Sequence, residues 1–289
     1  MENTLLLIDG NSLLCRAFYG YPQFITNDGR MLQGVYGFIN LMNKYIEQIK
    51  PTHLAVSFDM GTPTFRHEMY ADYKGTRKAP PPGLGDNFLP LQDLLTFMEI
   101  CWIGIPGFEG DDILGTLSRK YEKDCKSVIL SGDKDTFQLI NPFTSVYLPK
   151  TVNGKKETII YDEERFFNEF EIEPSQFIDM KALMGDTSDN IPGIKGIGPK
   201  IAKKIIKEYG NIETAFEHAD KIKPAKYGQL LKSNFKDAQF SKHLATIRTD
   251  IPIPVTLLDL KRTPMWTKDA LDYAEKIGIR ERLYTNKSS

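Results

Sequence analysis

Nowhere in this 289-residue chain do apolar residues run for the ~20 positions that a membrane-spanning helix needs. The opening Met1-Glu2-Asn3 has no basic segment leading into a long apolar one, so it does not read as a secretory signal. Cysteine is scarce: Cys15, Cys101 and Cys125 are scattered, odd in number and form no Cys-x-x-Cys pair. With only four histidines beside them, a disulfide framework and a zinc knuckle are both unsupported, and a reducing cytoplasm is the expected compartment. A Gly-x-x-x-x-Gly-Lys-Ser/Thr loop is missing, which argues against nucleotide-driven phosphoryl transfer. His53, His67, His218 and His243 suggest no Ser-His-Asp arrangement, and no internal repeat is visible.

Acidic residues, by contrast, stand in a pattern. Leu5-Leu6-Leu7-Ile8 stops at Asp9, Leu54-Ala55-Val56-Ser57-Phe58 at Asp59, and Val128-Ile129-Leu130-Ser131-Gly132 at Asp133. Short apolar runs of this kind read as buried strands of a parallel sheet. Ligands of such sheets gather outside the carboxyl ends of the strands, so the three aspartates are expected to meet. Glu109, Asp111 and Asp112, then Asp135, then Asp186 and Asp189 complete a set of nine candidate carboxylates. Any one of these has a bland explanation, and Asp111 or Asp112 reads equally well as serving a helix N-terminus. Assembled, they would repel one another unless they held divalent cations or kept some protons. Oxygen ligands favour Mg²⁺ or Mn²⁺, and two such ions form the usual clamp for phosphodiester displacement. If Asp186 and Asp189 share a helical turn they face one ion. Setting the nine aside turns the net charge of −1 into a clearly basic body with a negative pit, suited to a polyanionic substrate.

Strand and helix alternate through the first half, which argues an α/β fold with a mostly parallel sheet. Val35, Phe38, Ile39, Met42, Ile46 and Ile49 recur at helical spacing, Leu91 to Met98 mark another helix, and Asp111 to Tyr121 a third. Between Asn11 and the first of these comes a short helix, then a polar connection at Asn27-Asp28-Gly29. A hairpin is expected from Val146-Tyr147-Leu148 to Thr158-Ile159-Ile160-Tyr161, turning near Asn153-Gly154. From about 166 to 289 the reading is helical, giving two domains, 1–165 and 166–289, with a frayed end at 284–289. The segment 61–88 fits neither pattern and reads as a functional insertion. It carries Arg66, His67, Lys74, Arg77 and Lys78 interleaved with Phe65, Tyr70 and Tyr73, a mixture suited to single-stranded nucleic acid.

Further on, Gly193-Ile194-Lys195-Gly196-Ile197-Gly198-Pro199 leads into a helix whose Lys200, Lys203, Lys204 and Lys207 form one basic stripe. Gly196 and Gly198 allow backbone N–H groups to approach a phosphate, and the stripe suits a sequence-independent grip on a duplex. Arg16, close to Asp9, is a candidate for steadying the scissile phosphate, with a salt bridge at the core edge as an equal alternative.

These motifs, in this order, resemble the 5′-nuclease domain of bacterial DNA polymerase I and its free-standing relatives in the flap endonuclease superfamily. The stretches concerned are Leu7-Ile8-Asp9-Gly10-Asn11-Ser12, Phe65-Arg66-His67-Glu68, Tyr73-Lys74-Gly75-Thr76-Arg77, Gly107-Phe108-Glu109-Gly110-Asp111-Asp112, Gly132-Asp133-Lys134-Asp135 and Gly185-Asp186-Thr187-Ser188-Asp189-Asn190. The resemblance implies a PIN-like core, an arch at 61–88 that passes a 5′ strand, and a helix-three-turn-helix motif near 183–210. It also implies two or more Mg²⁺ or Mn²⁺ ions, and a K⁺ ion held by backbone carbonyls of that motif. Asp9, Asp111, Asp112 and Asp133 would then form a tight metal site and Asp135, Asp186 and Asp189 a looser one, with Asp59 and Glu109 holding metal waters. Arg16, Arg66 and Lys74 would act near the reacting phosphate, and Tyr73, Arg77 and Lys78 along the strand. Pro80-Pro81-Pro82-Gly83-Leu84-Gly85 replaces a more charged stretch of the family pattern.

The expected function is a monomeric 5′-3′ exonuclease and flap endonuclease acting on DNA flaps, nicks and ends, and on RNA–DNA primer junctions, in replication and repair. The Met1 start leads to the expectation of a free-standing enzyme. Two rivals are a catalytically silent protein that binds branched DNA, and a phosphatase using Asp133 as nucleophile. A labelled 5′-flap substrate with and without Mg²⁺ separates the first, and small phosphate esters the second.

Overall fold

The computed structural model describes residues 3–26, 29–152 and 154–280. Asn27, Asp28, Asn153 and the end at 284–289 lie outside the described residues. Strand β1 (Thr4–Asp9) leads to α1 (Gly10–Gly20) and α2 (Gln33–Ile49), then β2 (His53–Ser57), α3 (Phe65–Met69) and α4 (Phe88–Phe97). Next come β3 (Cys101–Ile103), α5 (Gly110–Lys120), β4 (Lys126–Leu130), β5 (Thr144–Val152) and β6 (Lys155–Tyr161). Helices follow: α6 (Glu163–Phe170), α7 (Phe177–Met184), α8 (Pro199–Tyr209), α9 (Ile212–Glu217), α10 (Ala225–Ser233), α11 (Phe235–Ala245) and α12 (Lys268–Lys276).

The six strands form one sheet in the order β3-β2-β1-β4-β5-β6. All neighbours run parallel except the β5–β6 hairpin. Leu5, Leu6, Leu7 and Ile8 of β1 are fully buried because helices cover both faces. Leu5 and Leu7 enter one core with α5, α7 and α8, while Leu6 and Ile8 enter the other with α1, α2 and α4. Alternate side chains of a strand point to opposite faces, so a strand clothed on both sides must be apolar throughout. Burying each such side chain contributes roughly 1.5–3 kcal/mol. That is why these runs are unbroken rather than alternating.

Chain order reverses direction at β1, whose neighbours are β2 and β4. A parallel sheet opens its ligand crevice at such a switch point, beyond the carboxyl ends. Asp9 ends β1, while Asp59 and Asp133 stand two or three residues past the ends of β2 and β4. The short edge strand β3, at three residues too brief to show a period, is not expected from the sequence.

The segment after α11 does not remain with the helical part. Ala270 and Ala274 of α12, with Ile277 and Ile279, bury in the core of α2 and α4, and Lys261 bridges to His53 of β2. The second unit expected over 166–289 therefore returns its tail to the first layer. There α12 packs against α4.

Candidate active site

Asp9, Asp59, Glu109, Asp111 and Asp133 line one cleft of about 930 Å³ at the carboxyl edge of the sheet, together with Asn11, Ser12, Lys74, Arg77, Lys78 and Ser188. Each acid is fixed by its element. Asp9 caps α1: its Oδ1 accepts from Ser12 N at 2.9 Å and its Oδ2 from Ser131 Oγ at 2.6 Å. Asp59 Oδ1 accepts from Gly110 N at 2.6 Å and its Oδ2 from Asn11 Nδ2 at 3.1 Å. Asp133 caps the 3₁₀ helix over Lys134–Leu139 that follows β4, accepting from Asp135 N at 2.9 Å. Gly10 permits this convergence, since a Cβ there would lie 2.5 Å from the Phe58 ring and from the Ser57 carbonyl oxygen.

Electrostatic strain follows from the crowding. Burial, reinforced by Asp59 and Asp133, pushes the Asp9 carboxyl up to about 6 despite its hydrogen bonds. Burial likewise lifts Asp135 to about 7, with Asp133 adding to the rise and Lys181 opposing it. Asp111 is raised well above the ordinary carboxylate range by burial, with Arg66 the chief opposing charge. Its Oδ1 is buried without a hydrogen-bond partner. A buried acceptor left bare costs about 1–3 kcal/mol, more when charged, and a hard cation is the ligand that an oxygen-lined acidic cleft would satisfy. Among the described residues, no three His, Cys, Asp or Glu side chains stand ready gathered as a metal cage. The protein's own cations hold several of the nine carboxylates.

Arg66 is the first of these, and its position corrects the expectation that it reaches a phosphate. It is 1% exposed. Its Nη1 and Nη2 donate to the two oxygens of Asp112 at 2.8 and 2.9 Å, and Nη1 also reaches Glu109 at 3.2 Å. Nε and Nη2 donate to the carbonyls of Leu244 and Thr246, each at 2.9 Å. Asp112 is correspondingly removed from the cleft. Fully buried, it takes Arg66, Glu109 N at 3.0 Å and Arg248 N at 2.8 Å, so its oxygens are spoken for beneath the cleft. The capping explanation was correct for Asp112, which closes a reciprocal box with Glu109 at the start of α5.

Tyr73 is also corrected from a strand contact to a buried support. At 3% exposure its hydroxyl lies 3.1 Å from Glu109 and 3.0 Å from Asp189. Lys74 Nζ donates to Glu109 at 2.7 Å, and Arg77 Nη2 to Asp189 Oδ1 at 2.5 Å. Residues 65–77 are thus laid down on α5 and on the turn at 186–190, tied also by Lys74 N to the Asp189 carbonyl at 2.9 Å. Burial raises the Asp189 carboxyl, but Lys74 and Arg77 outweigh it and hold the group below its ordinary value. Downstream, Ala79, Pro80, Pro81 and Leu84 form a wall of the cleft. Asn87, fully buried, anchors that end by donating to the Met31 and Gly83 carbonyls at 2.8 and 2.7 Å.

Asp186 and Asp189 do not share an ion through a common helical face. They belong to a turn, not a helix, in which Asp186 Oδ1 accepts from Ser188 N at 2.7 Å. Asp186 Oδ2 accepts from Lys181 Nζ at 2.5 Å, and the same ammonium contacts Asp135. Lys181 was not singled out in the sequence. Its signal was present, because a lone lysine in Phe177-Ile-Asp-Met-Lys-Ala-Leu-Met184 must bury a charge that needs partners. Arg16 likewise turns away: its guanidinium sits 3.5 Å from Thr151 Oγ1, in a separate groove of about 290 Å³ with Tyr19, Tyr21 and Lys156. Among the described residues it makes no salt bridge, so the core-edge alternative is not what the structure shows either.

The second predicted region is a helix–loop–helix of α7 and α8. Gly185 and Gly193 hold the loop shut at positive φ, and a Cβ on Gly193 would meet Gly185 N at 2.2 Å. Lys195, Gly196, Gly198 and Lys200 are exposed around the N-terminus of α8. Further along, Lys203 and Lys207 donate to Glu171 at 2.6 and 3.2 Å, and Lys204 Nζ lies 3.3 Å from the Lys223 carbonyl. The stripe is real, but half of it faces an acidic residue that pattern alone could not place.

Comparisons with known proteins bear on the family and the fold of the chain. The family model for the 5′-3′ exonuclease N-terminal resolvase-like domain matches residues 4–171, and that for the 5′-3′ exonuclease C-terminal SAM fold matches residues 172–268. The chain is 37% identical over 262 residues to a 5′-3′ exonuclease of Bacillus subtilis, covering 89% of this chain and 88% of that protein. It is 41% identical over 259 residues to DNA polymerase I of the same organism, covering 89% of this chain but only 29% of the polymerase. Among solved structures, the bacteriophage T5 D15 protein crystallised with metal ions superimposes with a TM-score of 0.71 at 20% identity, over 98% of each chain. The catalytic core of Rad2 with a DNA substrate gives 0.58 at 16% identity, over 99% of this chain and 93% of that one. On the matches to both family models and to the exonuclease, this chain belongs to the 5′-3′ exonuclease family.

Proposed function

We propose that the cleft hydrolyses DNA phosphodiesters at 5′ flaps, nicks and ends, including RNA–DNA primer junctions, as a divalent-metal-dependent 5′-3′ exonuclease and flap endonuclease in replication and repair. The observation that carries this reading is the convergence of Asp9, Asp59, Glu109, Asp111 and Asp133 in one cleft, with the Asp111 oxygen bare. Asp9, Asp111 and Asp133 would hold one Mg²⁺ or Mn²⁺ ion, and Asp135, Asp186 and Asp189 a second, with Asp59 and Glu109 supporting. Bound there, the ions would activate water and neutralise charge on the phosphate.

The chain's own residues do the remainder. Asn11 and Ser12 hold Asp59 and Asp9 in register across the switch point. Arg66 and Asp112 brace the N-terminus of α5, which carries Asp111. Lys74, Arg77 and Lys78, at the cleft rim, would receive the strand, and Lys195, Lys200 and Lys204 the duplex phosphates. A potassium ion would sit on backbone carbonyls of the loop before α8. Among the described residues no helix is long and apolar enough to cross a membrane; the protein would work as a monomer in the cytoplasm, where its three free cysteines would stay reduced. Incubation with end-labelled 5′-flap, nicked and blunt duplexes, with Mg²⁺ or with chelator, tests the reading. Short 5′ products that require metal are expected; tight binding of branched DNA without any cleavage would establish the silent-binder alternative instead.

A further inference from the structure

Lys181 lies beside the cleft, joined to it through Asp135, whose backbone N–H donates to Asp133 Oδ1 at 2.9 Å. Its ammonium is buried, at 4% exposure, and touches Asp135 Oδ1 and Asp186 Oδ2 together. The helix that delivers it, α7, packs against α11 and α8, so the lysine stem is held by the helical layer and not by a mobile loop. The cleft itself is different, since Asp111, which lines it, has its Oδ1 buried and bare. The cleft therefore offers a cation an unpaired oxygen, while the Asp135–Asp186 end beside it is filled by a cation of the protein.

We propose that Lys181 is a built-in counter-ion for Asp135 and Asp186, so that a divalent ion enters this end only by displacing the ammonium, and Lys181 thereby makes metal loading sequential. This rests on the metal-dependent reading above. A divalent ion needs carboxylate oxygens at 2.0–2.1 Å in the case of Mg²⁺, and an ammonium hydrogen-bonded to the same oxygens excludes it by volume and by charge. The first ion meets no such competitor at Asp111. Lys181 is a positioning residue here, acting on the carboxylates and not on substrate.

The experiment is Mn²⁺ titration of the DNA-free protein by isothermal calorimetry, with bound and free ion counted by electron paramagnetic resonance. Wild type is expected to bind one ion tightly and a second at least about tenfold more weakly, a gap of roughly 1.4 kcal/mol or more. Lys181→Met should raise the affinity of the second step by about tenfold or more, while Lys181→Arg, keeping the charge, should return the sequential isotherm. A Lys181→Met isotherm that superimposes on wild type, or one that loses the second step, overturns the proposal. Should the methionine variant be unfolded without metal, far-UV circular dichroism during the same titration decides: refolding on Mn²⁺ supports the counter-ion role, and no refolding overturns it. Wild type binding no Mn²⁺ at either step would instead sink the metal reading itself, so the two failures are distinguishable.

Discussion

Arg66→Met puts the buried ion network to its sharpest test. The guanidinium makes two hydrogen bonds to Asp112, one to Glu109 and two to the carbonyls of Leu244 and Thr246. Methionine fills much of the same volume but leaves Asp112 fully buried with two backbone N–H donors and no cation. Removing one partner of a buried pair costs about 3–5 kcal/mol, against a total stability of about 5–15 kcal/mol for a typical domain. At about 2–4 °C per kcal/mol for a protein of this class, thermal unfolding in chelator should fall by roughly 6–20 °C. Adding Asp112→Leu removes the stranded charge as well, so the double variant should regain at least half of the loss, because replacing a whole buried pair by apolar groups is often neutral. Circular dichroism melts of the four proteins measure the cycle. If Arg66→Met melts within 2 °C of wild type while DNA affinity drops, the side chain contacts phosphate after all and the buried-brace argument is refuted.

Three other outcomes follow from the same geometry. Asp111→Asn should lower metal-dependent cleavage by well over the ~100-fold expected of a supporting residue, while filter binding of the duplex stays near wild type; near-normal cutting rules out Asp111 as a ligand. Lys200→Ala should flatten the salt dependence of duplex binding by about 0.9 in log–log slope, whereas Glu171→Gln, which frees Lys203 and Lys207, should strengthen binding at low salt; unchanged slopes in both remove α8 from the interface. Asp9 and Asp135 are raised to about 6 and about 7, so the stability they lend is present below pH 4 and is lost as pH rises through 6 to 7. Chelated protein should therefore melt lower at pH 7.5 than at pH 5, and Mg²⁺ should raise the melting temperature more at pH 7.5; a Mg²⁺ effect equal at both values counts against ionised carboxylates as the binding groups.

The strands, the sheet's parallel sense and the meeting of strand-end aspartates were legible because both depend on short-range pattern. Apolar runs buried on two faces announce themselves, and the C-terminal edge of a parallel sheet has fixed chemistry. What escaped was the partnering of charges. Arg66 and Tyr73 sit in a stretch so rich in Lys, Arg and Tyr that every member read as facing a nucleic acid, yet one arginine and one tyrosine are among its most buried residues. Nothing within residues 61–88 distinguishes Arg66 from Arg77, since the carbonyls of Leu244 and Thr246 that complete its shell lie about 180 positions away. The same separation hid Glu171 from Lys203 and Lys207. Helical spacing, applied to Asp186 and Asp189, failed because Gly185 at positive φ ends α7 before the first of them.

The four cations in and under the cleft are not equivalent, and their differences bear on how such a site can fold before it is loaded. Two unit charges 4 Å apart interact by about 4 kcal/mol at an effective dielectric constant of 20, so nine neighbouring carboxylates cannot be assembled on the strength of packing alone. Arg66 answers that problem permanently, because all its contacts are internal and its side chain is 2% exposed. Lys74, Arg77 and Lys181 answer it provisionally. Each rests on carboxylates proposed above to bind or support metal: Glu109 for Lys74, Asp189 for Arg77, Asp135 and Asp186 for Lys181. Arg77, with a side chain 48% exposed, is the easiest to release. Divalent ions held by these oxygens would take over the positive charge that Lys74, Arg77 and Lys181 supply, and Lys74 and Arg77, which line the cleft, would become available to the phosphates of a strand. Folding without metal and binding a polyanion with metal then place no contradictory demand on the same residues.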